Sequence, residues 1–305
     1  MKKVVKKILL KLYSFLIWSK IVKPEIIVMM DGGICSQMHQ YLLGCIYREK
    51  GYLVTYDLAF YRNWAKDENG VFDRNFDLLK AFPLLCFQKA NQWEAFIYSK
   101  VYATNNNYFD QSDEDIFLFD IKPPKYLGGY FHSPKRVFTD LLPKYFQVSP
   151  DVLDDDNKLL YREIESVKHS VALHIRRGDL KATHIAYGEP ASIEYFRKAV
   201  SYMNRTLGEP YFYIFSDELT WVKNELIKEL SIHSGQYNVV AINGVDKGYM
   251  DLFLMARCAH QITSKGSLGK FAALLSNSSE KIVVLCDDPS IEYVWKERLL
   301  NTVFL

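Results

Sequence analysis

The sequence predicts an α/β protein built on parallel sheets, and three observations carry that expectation. Short apolar runs such as Val171–Ile175 and Tyr211–Phe215 have the length and composition of strands buried on both faces. Stretches with apolar residues at helical spacing lie between such runs, so strand and helix alternate. Three of the runs end in polar or glycine-bearing stretches, Arg176–Asp179, Ser216–Glu218 and Ser264–Ser267, the chemistry that open α/β sheets carry at the carboxyl ends of their strands.

At 305 residues, 49% hydrophobic and 15% aromatic, the chain has room for two such domains and a large core. Its 21 tyrosines suit sugar-contacting surfaces and ordinary packing alike. A net charge of +2 implies no bulk electrostatic partner, and nucleic acid is not expected. The cysteines, Cys35, Cys45, Cys86, Cys258 and Cys286, are odd in number and show no C-x-x-C spacing. Neither a disulfide framework nor a zinc site is expected, and a reducing cytoplasm fits. No Walker loop, H-E-x-x-H or Ser/His/Asp spacing appears.

In chain order, residues 1–23 stand apart. Lys2, Lys3, Lys6, Lys7, Lys11, Lys20 and Lys23 punctuate an apolar stretch from Ile8 to Trp18. That stretch is shorter than the roughly 20 apolar residues that span a bilayer. It lacks the small-residue cleavage site of a signal peptide. A basic amphipathic segment with Tyr13, Phe15 and Trp18 suits peripheral contact with the anionic inner face of the cell membrane. It suits a helix packed on its own domain equally well.

Residues 26–57 read as a β-α-β unit. Ile26–Met30 is a strand and Asp31, Gly32 and Gly33 make the turn. The helix that follows puts Met38, Tyr41, Leu42, Cys45 and Ile46 on one face, Gly51 ends it, and Leu53–Tyr56 is the next strand. A glycine pair before a helix lets backbone amides approach an anion or a sugar, although tight turns use glycine anyway. His39, on the same helix, fits packing as well as chemistry.

Residues 58–150 are less legible. Asp113–Asp115 lies among Asn and Ser in a loop, and Asp154–Asp156 reads as the charged first turn of a helix. Neither reads as a carboxylate cluster for a metal, and no metal is expected. From Ser170 onward the predicted strands are Val171–Ile175, Tyr211–Phe215, Asn238–Ile242, Gln261–Thr263 and Ile282–Leu285. Helices are predicted near Ser192–Asn204, Thr220–Leu230, Lys247–Cys258 and Ser267–Leu275, with a last one after Pro289. Tyr249–Ala259 is apolar nearly all round and is expected to be buried.

The densest chemistry is His174-Ile-Arg-Arg-Gly-Asp179. Side chains alternate along a strand, so Val171, Leu173 and Ile175 share one face, and Ala172, His174 and Arg176 the other. Arg176 and Arg177 at a strand end suit an anion, because a guanidinium forks onto phosphate oxygens. Asp179 holds one arginine in position or takes a ligand hydroxyl. The same residues also fit a plain ion pair at a strand end. Ser216, Asp217 and Glu218 are placed to bond a nucleoside or to cap the next helix. Lys265, Gly266 and Ser267 open a helix whose amides, with the lysine charge, suit phosphate.

These stretches carry a resemblance. His174–Asp179 resembles the H-x-R-R-x-D motif of fucosyltransferases that use GDP-fucose. Gly32-Gly-Ile-Cys-Ser-Gln-Met-His-Gln-Tyr41 resembles the G-G-L-G-N-Q-M-F-Q-Y of the α-1,2-fucosyltransferases of glycosyltransferase family 11. Ile214–Glu218 with Trp221 resembles that family's F-S-D-D-x-x-W, and Asp251–His260 its D-x-x-L-M-S-x-C-x-H. Gly128–Phe138 resembles its G-Y-x-Q-S-x-K-Y-F. The matches run in order from about residue 26 to 275.

The resemblance implies a GT-B-type fold with two Rossmann-like domains, residues 24–150 on the acceptor side and 151–305 on the donor side. It implies inverting transfer of L-fucose from GDP-fucose to O2 of a terminal galactoside in a surface glycan, with no cofactor or metal. His174, Arg176, Arg177, Ser216, Asp217, Glu218, Lys265, Gly266, Ser267, Gly32, Gly33 and Gln37 would contact the donor. Arg176 and Asp179 would be catalytic, and the base is left open among His39, Asp31 and Asp179. The sequence departs from the family where Cys35 and Ser36 replace a glycine and an asparagine and His39 an apolar residue. It departs most at the family's N-S-S-F-S-W-W, of which only the second serine is kept, as Ser267. A non-catalytic sugar- or nucleotide-binding protein and a transferase of a different sugar also fit these residues.

Overall fold

The computed structural model describes residues 2–19, 21–66, 70, 73–103, 121–128, 137–181, 189–286, 295 and 299–305. It divides into two compact α/β units. One comprises Met1–Lys66, Arg74–Leu79 and Pro83–Leu142; the other comprises Asp67–Asp73, Lys80–Phe82 and Pro143–Leu305.

The first unit is built on a three-stranded parallel sheet in the order β2-β1-β3, with β1 at Ile26–Met29, β2 at Val54–Asp57 and β3 at Lys125–Leu127. The central strand reads Ile-Ile-Val-Met and is buried because both its neighbours and the covering helices exclude water from it. Helix α1 spans Lys2–Trp18 and α2 spans Ile34–Glu49. Gly32, at φ 69°, turns the chain from β1 into α2 in a conformation that favours glycine. The face expected of α2, Met38, Tyr41, Leu42, Cys45 and Ile46, is buried. Strand β3 carries no periodic signal in the sequence, since it is three residues that follow two prolines. Helix α1 packs on α3, Gln92–Val101: Ile17 joins Ala95, Tyr98 and Tyr126 in one apolar cluster. The Tyr13 hydroxyl donates to Glu94 Oε1 at 2.7 Å.

The second unit holds a six-stranded parallel sheet in the order β6-β5-β4-β7-β8-β9. Its strands are β4 Ser170–Ile175, β5 Tyr211–Ser216, β6 Tyr237–Val239, β7 His260–Ile262, β8 Val283–Leu285 and β9 Thr302–Phe304. Five overlap the strands expected from the sequence; β9, a three-residue Thr-Val-Phe strand after Asn301, carries no such signal. Val171, Leu173 and Ile175 point into a core shared with Phe196, Ala199, Val200 and Met203 of the next helix. Helix α4 is Asp155–Ser166, α5 Ile193–Leu207, α6 Gly248–Arg257 and α7 Leu268–Leu275. As expected, α6 is buried along most of its length.

Asp154 caps α4, accepting from the Asn157 amide at 3.1 Å, and pairs with Lys247 at 2.8 Å. The Lys247 bond pulls its carboxyl below the usual range, in keeping with the helix-start reading. Asp113–Asp115, most of Gly128–Phe138 and most of the helix expected after Pro289 lie outside the described residues. None of the cysteines is in a disulfide. Among the described residues no helix is long and apolar enough to cross a membrane.

From β4 the chain steps outward to β5 and β6, then returns to β7 on the other side of β4. The carboxyl ends of β4 and β7 therefore form the topological switch point of this sheet, the place where open α/β sheets bind ligands.

Candidate functional site

Hydrogen bonds tie three strand ends together. The Arg176 amide donates to Ser264 Oγ at 2.8 Å, and the same oxygen lies 3.3 Å from His174 Nδ1, which joins β4 to the turn after β7. The amides of Arg177 and Gly178 each donate to the Asp217 carboxylate at 3.0 Å, which joins β4 to β5. Asp217 thus spends both oxygens on backbone. Ser216 Oγ accepts from the Glu218 amide at 3.0 Å, a tight turn at the end of β5, and Glu218, at the cap position of the short helix Leu219–Trp221, makes no side-chain cap hydrogen bond.

Arg176 is the fixed cation of this platform. Its Nε and Nη2 donate to the two oxygens of Asp179 at 2.9 and 2.7 Å. The guanidinium packs against Gly266, which sits at φ 91°; a Cβ there would lie 2.3 Å from Arg176 Nη1 and 2.8 Å from its Cδ. Glycine is required at 266 for two independent reasons, the backbone conformation and the close approach. A carboxylate-held guanidinium is preorganised for an anion.

Lys270 holds the turn from below. It is 1% exposed, and its ammonium donates to the carbonyls of Ser264 at 3.0 Å and Gly266 at 2.7 Å. A lysine inside an apolar helix gives no signal in the sequence that it points inward. His174 is buried against α7, where a Cβ at Gly269 would lie 3.0 Å from its Nδ1. Burial, then the nearby Lys270 and Arg176 charges, push its pKa down to about 3, so the ring is neutral. Lys265 is buried in the turn. Ser267 occupies the cap position of α7 without a side-chain cap hydrogen bond.

Arg177 faces the other way. Its guanidinium carbon lies 4.2 Å over the Trp221 ring and its Nε lies 3.3 Å from Glu218 Oε2, while Lys181 pairs with the other Glu218 oxygen. The sequence suggests Arg176 and Arg177 as one anion site. The structure separates them, Arg176 toward β7 and Arg177 toward β5, because adjacent residues leave an extended chain on opposite sides.

The first unit carries the other predicted residues at the end of β1. The Gln37 amide nitrogen donates to the carbonyls of Gly32 at 3.1 Å and Asn75 at 2.7 Å; its oxygen accepts from the Asp77 and Leu78 amides, each at 2.9 Å. Buried and fully engaged by backbone, it braces the glycine turn. Gly33 caps α2 in an extended conformation. The Asp31 amide donates to Gln40 Oε1 at 2.9 Å, and the Gln40 amide nitrogen donates back to Asp31. His39 is half-buried with its ring 5.3 Å from that of Phe138. Among the described residues no group of three or more His, Cys, Asp or Glu side chains is placed to hold a metal ion.

Residues 87–298 match the family described as glycosyl transferase family 11. The chain is 25% identical over 283 residues to the O-antigen biosynthesis glycosyltransferase WbnK of Escherichia coli, a match covering 84% of this chain and 91% of that protein. Among solved structures, E. coli ADP-heptose LPS heptosyltransferase II matches at a TM-score of 0.46 and 11% identity, covering 92% of this chain and 90% of that one. Fucosyltransferase NodZ from Bradyrhizobium matches at a TM-score of 0.45 and 14% identity, covering 83% and 93%.

Proposed function

The chain belongs to glycosyl transferase family 11, and from that premise we propose that it is an inverting α-1,2-fucosyltransferase. The donor is GDP-fucose, bound by residues 151–305, and the acceptor is a terminal β-galactoside of a surface glycan, bound by residues 24–150. The observation that carries the reading is Arg176, locked by Asp179 at the switch point of the second sheet. The family motifs at Gly32–Tyr41, His174–Asp179, Ile214–Trp221 and Asp251–His260 support fucose and the O2 linkage. The O-antigen role in the name of the E. coli relative supports a surface glycan.

In the reaction the bond from fucose C1 to the β-phosphate oxygen breaks while the acceptor O2 bonds to C1 from the opposite face. The acceptor proton goes to a base and GDP leaves. Negative charge grows on the β-phosphate, and Arg176 meets it already oriented; removing one such contact typically costs about 3 kcal/mol of barrier. Asp179 is engaged with Arg176 and acts as a positioning residue, which leaves Asp31 and His39 as the candidates for the base. The charge is supplied by side chains, so no metal is required.

A panel of nucleotide sugars offered with lactose tests the reading, with binding of each measured by calorimetry. Transfer from GDP-fucose alone is expected. Turnover with another donor would assign a different sugar, and binding of GDP-fucose without turnover would make the chain a non-catalytic binder.

A further inference from the structure

Helix α1 has two apolar faces, and among the described residues one of them packs within the unit. Tyr13 and Ile17 pack on α3. Ile8, Leu12, Phe15 and Trp18 lie on the opposite side and are exposed at 59, 53, 55 and 79%. At about 100° per residue, Ile8, Leu12 and Phe15 fall within one narrow stripe, and Trp18 lies at its edge. The Phe15 and Trp18 rings sit 5.8 Å apart. Exposed Lys7 and Lys11 flank the same stripe, exposed Lys23 follows the helix, and the sequence adds Lys2, Lys3 and Lys6 at its start. Tyr13 and Ile17 fix the helix, so the stripe is presented without further ordering.

We infer that this outer face of α1 docks the enzyme on an anionic phospholipid surface. The aromatic and aliphatic side chains enter the headgroup boundary, and the flanking lysines meet the lipid phosphates. A second copy is the poorer occupant: a two-fold contact through this stripe sets the lysines of one copy near those of the other. A lipid surface supplies the opposite charge. The inference is independent of which sugar the enzyme transfers.

The test is sedimentation of the full chain with phosphatidylcholine vesicles, with and without phosphatidylglycerol. The chain is expected to pellet with the phosphatidylglycerol vesicles and to be released by high salt. The combined substitution Leu12→Ser, Phe15→Ser and Trp18→Ser, all at exposed positions, abolishes pelleting and leaves transfer to a soluble acceptor unchanged. Lys7→Ala with Lys11→Ala weakens partitioning about 30-fold, from about 1 kcal/mol per lysine. Equal pelleting of the parent and the triple variant would overturn the inference, as would no pelleting of the parent. So would a lipid-free dimer that the triple substitution dissociates, since the face would then belong to a second copy.

Discussion

The Arg176 guanidinium and the Asp179 carboxylate form a two-point pair, Nε to Oδ1 at 2.9 Å and Nη2 to Oδ2 at 2.7 Å. The pair spans a single short turn after β4, so the carboxylate that orients the arginine is local, while the Gly266 turn after β7 packs against the same guanidinium.

Arg176→Lys is therefore expected to behave as Arg176→Ala, because an ammonium cannot take the fork. Both should lower kcat/KM for transfer by about 10²–10³-fold. Asp179→Asn keeps the shape but loses the charge that holds Arg176, and falls between them and the parent. Steady-state kinetics check this, and a lysine variant near the parental rate would contradict it.

Gly266→Ala tests the turn that meets Arg176. The methyl would stand 2.3 Å from Arg176 Nη1 on a backbone at φ 91°. A loss of about 1–3 kcal/mol in denaturant unfolding is expected, with loss of transfer as Arg176 is displaced. A variant with parental stability and rate would show that the turn tolerates a side chain.

Lys270→Met removes the buried ammonium from the Ser264 and Gly266 carbonyls while keeping most of the volume. A destabilisation of about 1–3 kcal/mol is expected, with a larger effect on KM for the donor than on KM for the acceptor. Equal changes in both would place Lys270 in general stability only.

The pH dependence of stability follows from two buried histidines. His174 is held down to about 3 and His260, whose Nδ1 accepts the Ile282 amide at 3.2 Å, to about 4, each mainly by burial. The unfolded chain takes up these protons near pH 6.5, so stability is full above that value and falls as pH drops toward 4, by up to about 1.4 kcal/mol per unit for each ring. Desolvation pushes half-buried Asp251 up to about 6, which has the opposite sign: its contribution improves as pH falls from 6 toward 4. His174→Asn should flatten the acid limb measured by denaturant unfolding; an unchanged limb would refute the assignment.

Transfer is also expected to persist in excess chelator, since the proposed function has Arg176 meet the phosphate charge. Loss of activity in chelator, restored by magnesium or manganese, would contradict this.

The β4, β5 and β8 strands were legible because parallel strands buried on both faces read as continuous apolar runs. The same reading missed β3 and β9, where three-residue strands gain their stability from neighbours rather than from their own composition. Alternation placed His174 and Arg176 on the correct face but did not foresee that Arg177 would stack on Trp221. Gln37 and Lys270 show the other gap. The spacing of a polar residue in sequence does not say whether its hydrogen bonds go to a ligand or to the backbone of a turn.

The most direct measurement is the structure of the product made from GDP-fucose and lactose, set beside 2-deoxy-lactose modified on the galactose. An α-fucosyl group on O2 of the galactose, established by NMR, is expected, with no product from the 2-deoxy acceptor. Fucosylation of the 2-deoxy acceptor, a linkage to O3 or O4, or a β-anomer would contradict it.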